Sequence, residues 1–290
     1  MWNKLFSPML LSEKNDPFDD ENYLYEFKYD GIRALIYVSP QSIKIVSRNG
    51  VDLTNTYPEL FVIKKIVTKK TILDGEIIAL ENNLPSFSKL QQRNRLKNNL
   101  EIKKASIINP VTYICFDILY EEKSLINLPL IERKVYLSKY YENDYFKISK
   151  YIIKKGKKLF KEIKKLNIEG IIAKKKDSKY YPNTRTKEWI KIKNYQVGSF
   201  TIGGFSYNDN SNVFSCYLGE LKNNKLLFVG KVTIAKKNQL FKTLAHLKTS
   251  KNPFNNLSQN FIYVKPKINI KIKYLEKTKN NHLRQPIFLE

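Results

Sequence analysis

Apolar and polar positions along this chain fall mostly into short runs, more suited to strands than to long helices. Tyr23–Tyr29, Arg33–Val38 and Ile43–Ser47 are β-branched or aromatic and are separated by Asp30-Gly31 and Ser39-Pro40. They predict an antiparallel meander. Ile72–Leu80, Val111–Leu119, Ile168–Lys174 and Lys187–Ile192 predict further strands. Helical spacing appears between them, at Tyr57–Thr68, Phe87–Leu96, Leu130–Tyr140 and Tyr151–Leu166. In the last segment Ile152, Leu159, Ile163 and Leu166 approximate one face, while Lys154, Lys155, Lys157, Lys158, Lys161, Lys164 and Lys165 form a solvated one.

Beyond residue 194 the texture changes. Phe200–Phe205, Val213–Leu218, Leu226–Val232 and Ile268–Leu275 read as short strands, with turns at Gly203-Gly204, Asp209-Asn210 and Asn223-Asn224. One helix, Lys237–Leu247, interrupts them. Several short strands around one helix predict a small β-barrel of the OB type. The expected boundary divides the chain into domains 1–194 and 195–290, and no internal repeat is visible.

Composition sharpens this picture. The 290 residues include 52 Lys+Arg against 27 Asp+Glu, a formal net charge of +25. Such a charge suits a polyanion, either nucleic acid or an anionic membrane surface. Abundant Asn and Ile point also to codon bias as a source of some of the Lys. Residues 195–290 hold 15 basic and 4 acidic residues, a denser excess than the 37 and 23 of residues 1–194. Two His and two Cys, distant from one another, exclude a multi-histidine metal centre, a four-cysteine zinc site and a disulfide framework. No apolar run approaches the ~20 residues needed to span a bilayer, and Met1 to Leu11 is not a signal peptide. A soluble cytoplasmic protein is expected.

Five clusters carry candidate chemistry. The first is Glu26-Phe27-Lys28-Tyr29-Asp30-Gly31-Ile32-Arg33. In a strand Glu26, Lys28 and Asp30 would share one face, opposite Tyr25, Phe27 and Tyr29. Carboxylates on both sides favour the charged form of Lys28, so its use as a nucleophile requires nearby cations or a metal. Alone, the pattern fits an exposed ion pair equally well. Leu73-Asp74-Gly75-Glu76 puts two carboxylates on one face, and Phe116-Asp117 ends a strand. The fourth is Glu169-Gly170-Ile171-Ile172-Ala173-Lys174, and in the fifth Trp189-Ile190-Lys191-Ile192-Lys193 sets two Lys on one strand face.

The order of these clusters resembles the covalent nucleotidyltransferase superfamily of ATP-dependent DNA ligases, RNA ligases and mRNA-capping enzymes, over nearly the whole chain. Within it the ligase domain of bacterial ligase D is most similar. That likeness rests on Pro85-Ser86-Phe87-Ser88-Lys89-Leu90-Gln91-Gln92-Arg93, on Lys174 to Tyr180, and on Ile202-Gly203-Gly204-Phe205. Gly230-Lys231-Val232, Tyr263-Val264-Lys265-Pro266 and Leu283-Arg284-Gln285-Pro286 complete it. The resemblance implies an α+β fold, in which a nucleotidyltransferase domain of ATP-grasp-like antiparallel sheets with helices precedes an OB-fold domain.

The resemblance also implies roles. Lys28 would take AMP from ATP, pass it to a 5′-phosphate at a DNA break, and the 3′-hydroxyl would then displace it. Glu26 would take the adenine amino group, Phe116 would stack on adenine and Glu76 would accept from the ribose hydroxyls. Arg33, Lys191 and Lys193 would hold phosphates of the nucleotide. Arg48, and Arg185 in the loop before the Lys-x-Lys strand, would hold phosphates at the nick. Glu169 and Asp30 would hold Mg²⁺ or Mn²⁺ directly or through water. The expected partners are double-stranded DNA with nicks or ends and the Ku end-binding protein. The expected setting is a monomer at the prokaryotic nucleoid, acting in end joining. The family's Arg-x-Asp-Lys ending does not follow Leu283-Arg284-Gln285-Pro286, which raises a question over self-adenylylation, and no accompanying DNA-binding, polymerase or nuclease domain is read. The rivals are an RNA ligase, a capping-type enzyme and a catalytically silent DNA-end-binding module.

Overall fold

The computed structural model describes Trp2 and residues 4–289. The chain divides into two compact units, Met1–Asn194 and Tyr195–Glu290.

The first unit runs β1 (Leu10–Glu13), β2 (Tyr23–Phe27), β3 (Ile32–Val38), β4 (Ile43–Ser47) and, after a 3-10 turn at Pro58–Val62, α1 (Ile63–Ile66). Next come β5 (Thr71–Glu81), β6 (Leu84–Pro85), α2 (Phe87–Asn94), α3 (Asn99–Ile108), β7 (Val111–Glu121) and β8 (Lys123–Ser124). It ends with α4 (Leu130–Leu137), β9 (Phe146–Ile148), β10 (Tyr151–Ile153), α5 (Gly156–Lys165), β11 (Gly170–Lys175) and β12 (Arg185–Lys193). Two sheets form. One has the order β1-β12-β11-β2-β10; the other has β4-β3-β5-β7-β8, with β6 and β9 attached to β5 and β7.

This arrangement corrects the expected meander. β3 and β4 form an antiparallel hairpin, but β2 lies in the other sheet, between β11 and β10. The predicted strand Tyr23–Tyr29 stops at Phe27, because the chain there leaves one sheet for the other. The predicted helix Tyr57–Thr68 reduces to the 3-10 turn and one α-helical turn. The predicted helix Tyr151–Leu166 splits: Tyr151–Ile153 is a strand, Lys154 turns the chain at a φ of 70°, and α5 begins at Gly156. Ile152, expected on the helical apolar face, pairs with Tyr25 across the sheet instead.

Alternation along the strands builds two faces. Tyr25, Ile171, Ala173 and Ile192 pack with Phe160 and Ile163 of α5. Fully burying one such apolar side chain stabilises the fold by roughly 1.5–3 kcal/mol. Their neighbours Leu24 and Trp189 pack on the opposite face, with Leu35, Ile72 and Phe116 of the second sheet. The candidate site lies on that face.

The second unit consists of β13 (Gln196–Tyr207), β14 (Val213–Lys222), β15 (Lys225–Ala235), α6 (Gln239–His246), β16 (Ile262–Tyr263), β17 (Asn269–Tyr274) and β18 (Ile287–Phe288). Its sheet has the antiparallel order β15-β14-β13-β17-β18, with β16 on β13. β18 also touches β15, so the sheet curls back on itself around Phe200, Ile202, Phe214, Val229, Leu244 and Ile272. Five main strands with one helix after the third match the expected OB arrangement. Asn223 and Asn224, both at positive φ, make the two-residue hairpin turn between β14 and β15.

Candidate active site

The site begins where the chain crosses between the sheets of the first unit. Lys28 to Gly31 are that crossing, so the shared strand face expected for Glu26, Lys28 and Asp30 does not exist. The Lys28 N–H donates to the Gly170 carbonyl at 2.9 Å, which pins the crossing beside the start of β11. Gly31 is needed for the close passage over β5: a Cβ there would lie 2.1 Å from the Ile77 carbonyl oxygen. The same backbone contact brings Lys28 to Glu169, and its Nζ donates to Glu169 Oε2 at 2.7 Å. Asp30 is half-buried in the crossing.

Lys191 and Lys193 lie two residues apart on β12, as expected. Lys191 pairs with Glu13 of β1 at 3.0 Å, and Lys193 lies opposite Gly170 on β11. Burial pulls the Lys193 ammonium below the usual lysine range, and its neighbours Lys191 and Lys28 pull the same way while Glu13 and Glu169 oppose them.

On the other sheet Arg33 makes a bidentate pair with Asp74, at 3.0 Å from Nε and 2.7 Å from Nη2. The Tyr180 hydroxyl donates to the same carboxylate at 2.7 Å. Burial lowers the Arg33 pKa, but Asp74 more than compensates and leaves the guanidinium firmly charged. Glu76, opposite Arg33 in the β3–β5 register, is half-buried. Burial pushes its carboxyl up to about 7, helped by Glu169 and Asp74 and only partly offset by Lys28 and Arg33.

Phe116 sits in the middle of β7 rather than at a strand end. Its ring lies edge-on to Trp189 and 5.3 Å from the Arg33 guanidinium. Lys28, Arg33, Glu76, Phe116, Lys174 and Trp189 together line one pocket. Glu26 does not line it. Its side chain is 1% exposed, and its two oxygens accept separately from Lys134 and, at 2.8 Å, from Lys174. Burial raises the Glu26 pKa, but the two ammonium groups outweigh it and hold the carboxyl below the ordinary value.

The remaining candidates sit further out. Arg48 is exposed in the turn after β4, and its N–H donates to the Arg33 carbonyl at 2.9 Å. Arg185 opens β12 instead of lying in the loop before it, because β12 extends two residues upstream to pair with β1; its Nη1 donates to the Leu11 carbonyl. Sequence reasoning gave Lys174 and Trp189, both members of its clusters, no role in the pocket, and missed Glu13 as the partner of Lys191. The alternation of β11 and β12 carried the signal for their place, since it puts Lys174 and Trp189 on the face of Lys191 and Lys193.

Among the described residues no group of three or more His, Cys, Asp or Glu converges on a metal cage. Among the described residues no helix is long and apolar enough to cross a membrane.

Comparison with known proteins gives consistent findings. The profile of the ATP dependent DNA ligase domain matches residues 8–193, and that of the ATP dependent DNA ligase C terminal region matches residues 209–290. The SPbeta prophage-derived DNA ligase-like protein LigB of Bacillus subtilis is 31% identical over 288 residues, which cover 97% of each chain. The multifunctional non-homologous end joining protein LigD of Mycolicibacterium smegmatis is 28% identical over 297 residues, covering 97% of this chain but 37% of the relative. The chain therefore spans little more than a third of that relative's length. A solved structure of mycobacterial DNA ligase D complexed with ATP and MES superposes with a TM-score of 0.60 at 26% identity, covering 98% of this chain and 93% of the other.

Proposed function

The chain belongs to the family of ATP-dependent DNA ligases, and from that premise we propose that it seals 5′-phosphate/3′-hydroxyl breaks in DNA with Lys28 as the nucleophile. The observation that carries this reading is the placement of Lys28. It stands at the crossing between two sheets, in a pocket with Arg33, Glu76 and Phe116 and beside Glu169.

The chemistry follows from that placement. The Lys28 amine attacks the α-phosphorus of ATP and gives up a proton; a P–N bond forms, the bond to the bridging oxygen breaks, and pyrophosphate leaves. A 5′-phosphate oxygen at the break then attacks the same phosphorus and releases Lys28. Finally the 3′-hydroxyl oxygen attacks the activated 5′-phosphate, and AMP leaves. Each transfer depends on in-line positioning and on cations that stabilise spreading negative charge. Lys191 and Lys193 supply two such cations on one strand face. Arg33 lies near enough to the pocket to hold a nucleotide phosphate while Asp74 fixes its fork. Phe116 offers an apolar wall to the adenine ring, and Glu76 lies on the β5 side of the pocket, suited to the ribose hydroxyls. Glu26 serves the base through Lys174, because both its oxygens are already engaged. Arg48 and Arg185, exposed at the rims, suit phosphates of the broken strand.

A divalent cation, Mg²⁺ or Mn²⁺, fits the donors present. Mg²⁺ is commonly bound by one or two carboxylates plus substrate phosphates and waters, so the absence of an all-protein cage among the described residues suits it. Glu169 would hold it, with Asp30 acting through water, and it would supply charge neutralisation at the phosphates. The similarity to LigD, an end joining protein, supports a task in end joining; we propose the nucleoid as its setting and the Ku end-binding protein as its partner.

The test is an adduct assay. Incubation with α-labelled ATP gives a denaturation-resistant labelled protein, and α-labelled GTP does not. Lys28→Ala abolishes the label and leaves affinity for nicked DNA unchanged. A label that survives Lys28→Ala would falsify the nucleophile assignment.

A further inference from the structure

We infer that Lys134, on α4 and outside the pocket, is a positioning residue for ATP binding: with Glu26 it fixes the ammonium of Lys174 at the pocket wall. This rests on the ligase reading above.

Three charged side chains meet in the interior of the first unit. Lys134 is 4% exposed, Glu26 1% and Lys174 1%. Only Lys174 reaches the pocket, where its Nζ lies 4.1 Å from the Phe116 ring centre and 4.3 Å from that of Trp189. Lys134 takes one oxygen of Glu26 and Lys174 the other. A carboxylate held at both oxygens cannot rotate, so the ammonium of Lys174 has one place to bond. Without Lys134 both oxygens become open to Lys174, and the ammonium gains a range of positions between the two rings. The arrangement also leaves one unmatched positive charge in a dry interior. Burying charge in this way is unfavourable unless something offsets it. A polyanionic nucleotide in the adjoining pocket does so, and the triad is therefore better suited to the ATP-bound state than to the empty one. An ordinary buried ion pair would have needed one lysine, not two.

The experiment uses the full chain and separates nucleotide binding from the later steps. Lys134→Met keeps the length of the side chain and removes its ammonium; Lys134→Arg keeps the charge. In self-adenylylation Lys134→Met raises KM for ATP by about tenfold with kcat changed by less than about threefold, as expected when ground-state binding is weakened and the chemical step is not. Sealing of a nick that already carries AMP on its 5′-phosphate, without ATP, stays within about twofold of the unsubstituted protein, and Lys134→Arg restores most of the KM. Glu26→Gln combined with Lys134→Met removes both charges together and guards against a folding defect; it also shows the raised KM. An unchanged KM in the double variant, or a parallel loss in sealing of the pre-adenylylated nick, overturns the inference. Failure of the unsubstituted protein to form any adduct would overturn the ligase reading itself, and is thus distinguished.

Discussion

Among the described residues the first unit has seven charged residues that are buried as a whole: Glu26, Asp74, Arg93, Asp117, Arg133, Lys134 and Lys174. Among those of the second unit none is buried, although that unit has the denser positive excess. Its carboxylate Glu220 is paired at the surface, at 2.8 Å to Lys277. Each charge taken from water costs several kcal/mol unless its partners are well placed. Apart from Arg93, whose Nε and Nη1 lack hydrogen-bond partners among the described residues, the first unit meets that condition with bidentate and shared pairs, and most of these lie behind the pocket: Arg33–Asp74–Tyr180, Lys134–Glu26–Lys174 and Arg133–Asp117. On the proposed ligase reading, its interior charges hold side chains in place for chemistry. The lysines of the second unit project from a purely apolar core and act as a field. On that reading the same excess of Lys and Arg serves two ends.

The largest break in this contrast is expected at Arg133. Its Nε and Nη2 donate to Asp117 at 2.8 and 2.9 Å, and its Nη1 donates to the Ser178 carbonyl at 3.1 Å. Arg133→Met leaves Asp117 buried and uncompensated, and unfolding free energy falls by about 3–5 kcal/mol. Lys237→Met in the second unit, where the side chain is exposed, changes it by no more than about 0.5 kcal/mol. Urea unfolding of both variants measures the difference. Equal losses would mean that burial of charge is not what separates the units.

Much of this was legible in the sequence, and the failures share a cause. The strands β3, β4, β5, β7 and β13 to β15 were visible because alternation and turn residues are local signals. The turn at Asn223-Asn224 was readable for the same reason. Which strands share a sheet is not local. The crossing at Lys28 could not be seen, because Tyr23–Tyr29 alternates whether or not its last two residues remain paired. α3 was missed because Leu100, Ile107 and Ile108 stay exposed and mark no single apolar face; its one clear signal is Asn98, whose side chain caps the Leu100 and Glu101 N–H groups. Among site residues, Lys28, Arg33, Glu76, Phe116 and Glu169 were found as motif members and the structure gathers them. Glu26 was found but its ion pairs were not, since nothing in its neighbourhood announces Lys134, over a hundred residues away.

The surface half of the contrast is sharpened by salt. Lys231, Lys237 and Lys242 are exposed on the second unit, and Lys157, Lys158 and Lys161 on α5 of the first. Replacing the first three with Gln makes the dependence of nicked-DNA affinity on salt shallower, by up to ~0.9 in log–log slope for each phosphate that is no longer neutralised. The adenylylated adduct forms as before. The same replacement on α5, whose lysines read as a solvated face, leaves the slope unchanged. A slope that responds equally to both sets would give α5 a share of the DNA, and one that responds to neither would remove the second unit from the grip.

The smallest effect belongs to Glu76, which stands between the two kinds of charge: half-buried, among cations, and without a bidentate partner of its own. Burial raises its carboxyl from the ordinary 4.5 to about 7 in the folded protein. The folded state therefore holds a proton that the unfolded chain has released between these two values. Stability then falls as pH rises from 4.5 through 7 and stays at the lower level above it. Glu76→Gln removes this dependence. Below pH 4.5 the variant and the unsubstituted protein unfold at nearly the same urea concentration; at about pH 8 the variant is the more resistant. Adduct formation moves the other way, because the amide offers the ribose hydroxyls a weaker acceptor than the carboxylate that prevails at about pH 8. A variant that is less stable at that pH would show that Lys28 and Arg33 hold the Glu76 charge more tightly than burial opposes it, and would place Glu76 with the paired interior charges of its unit.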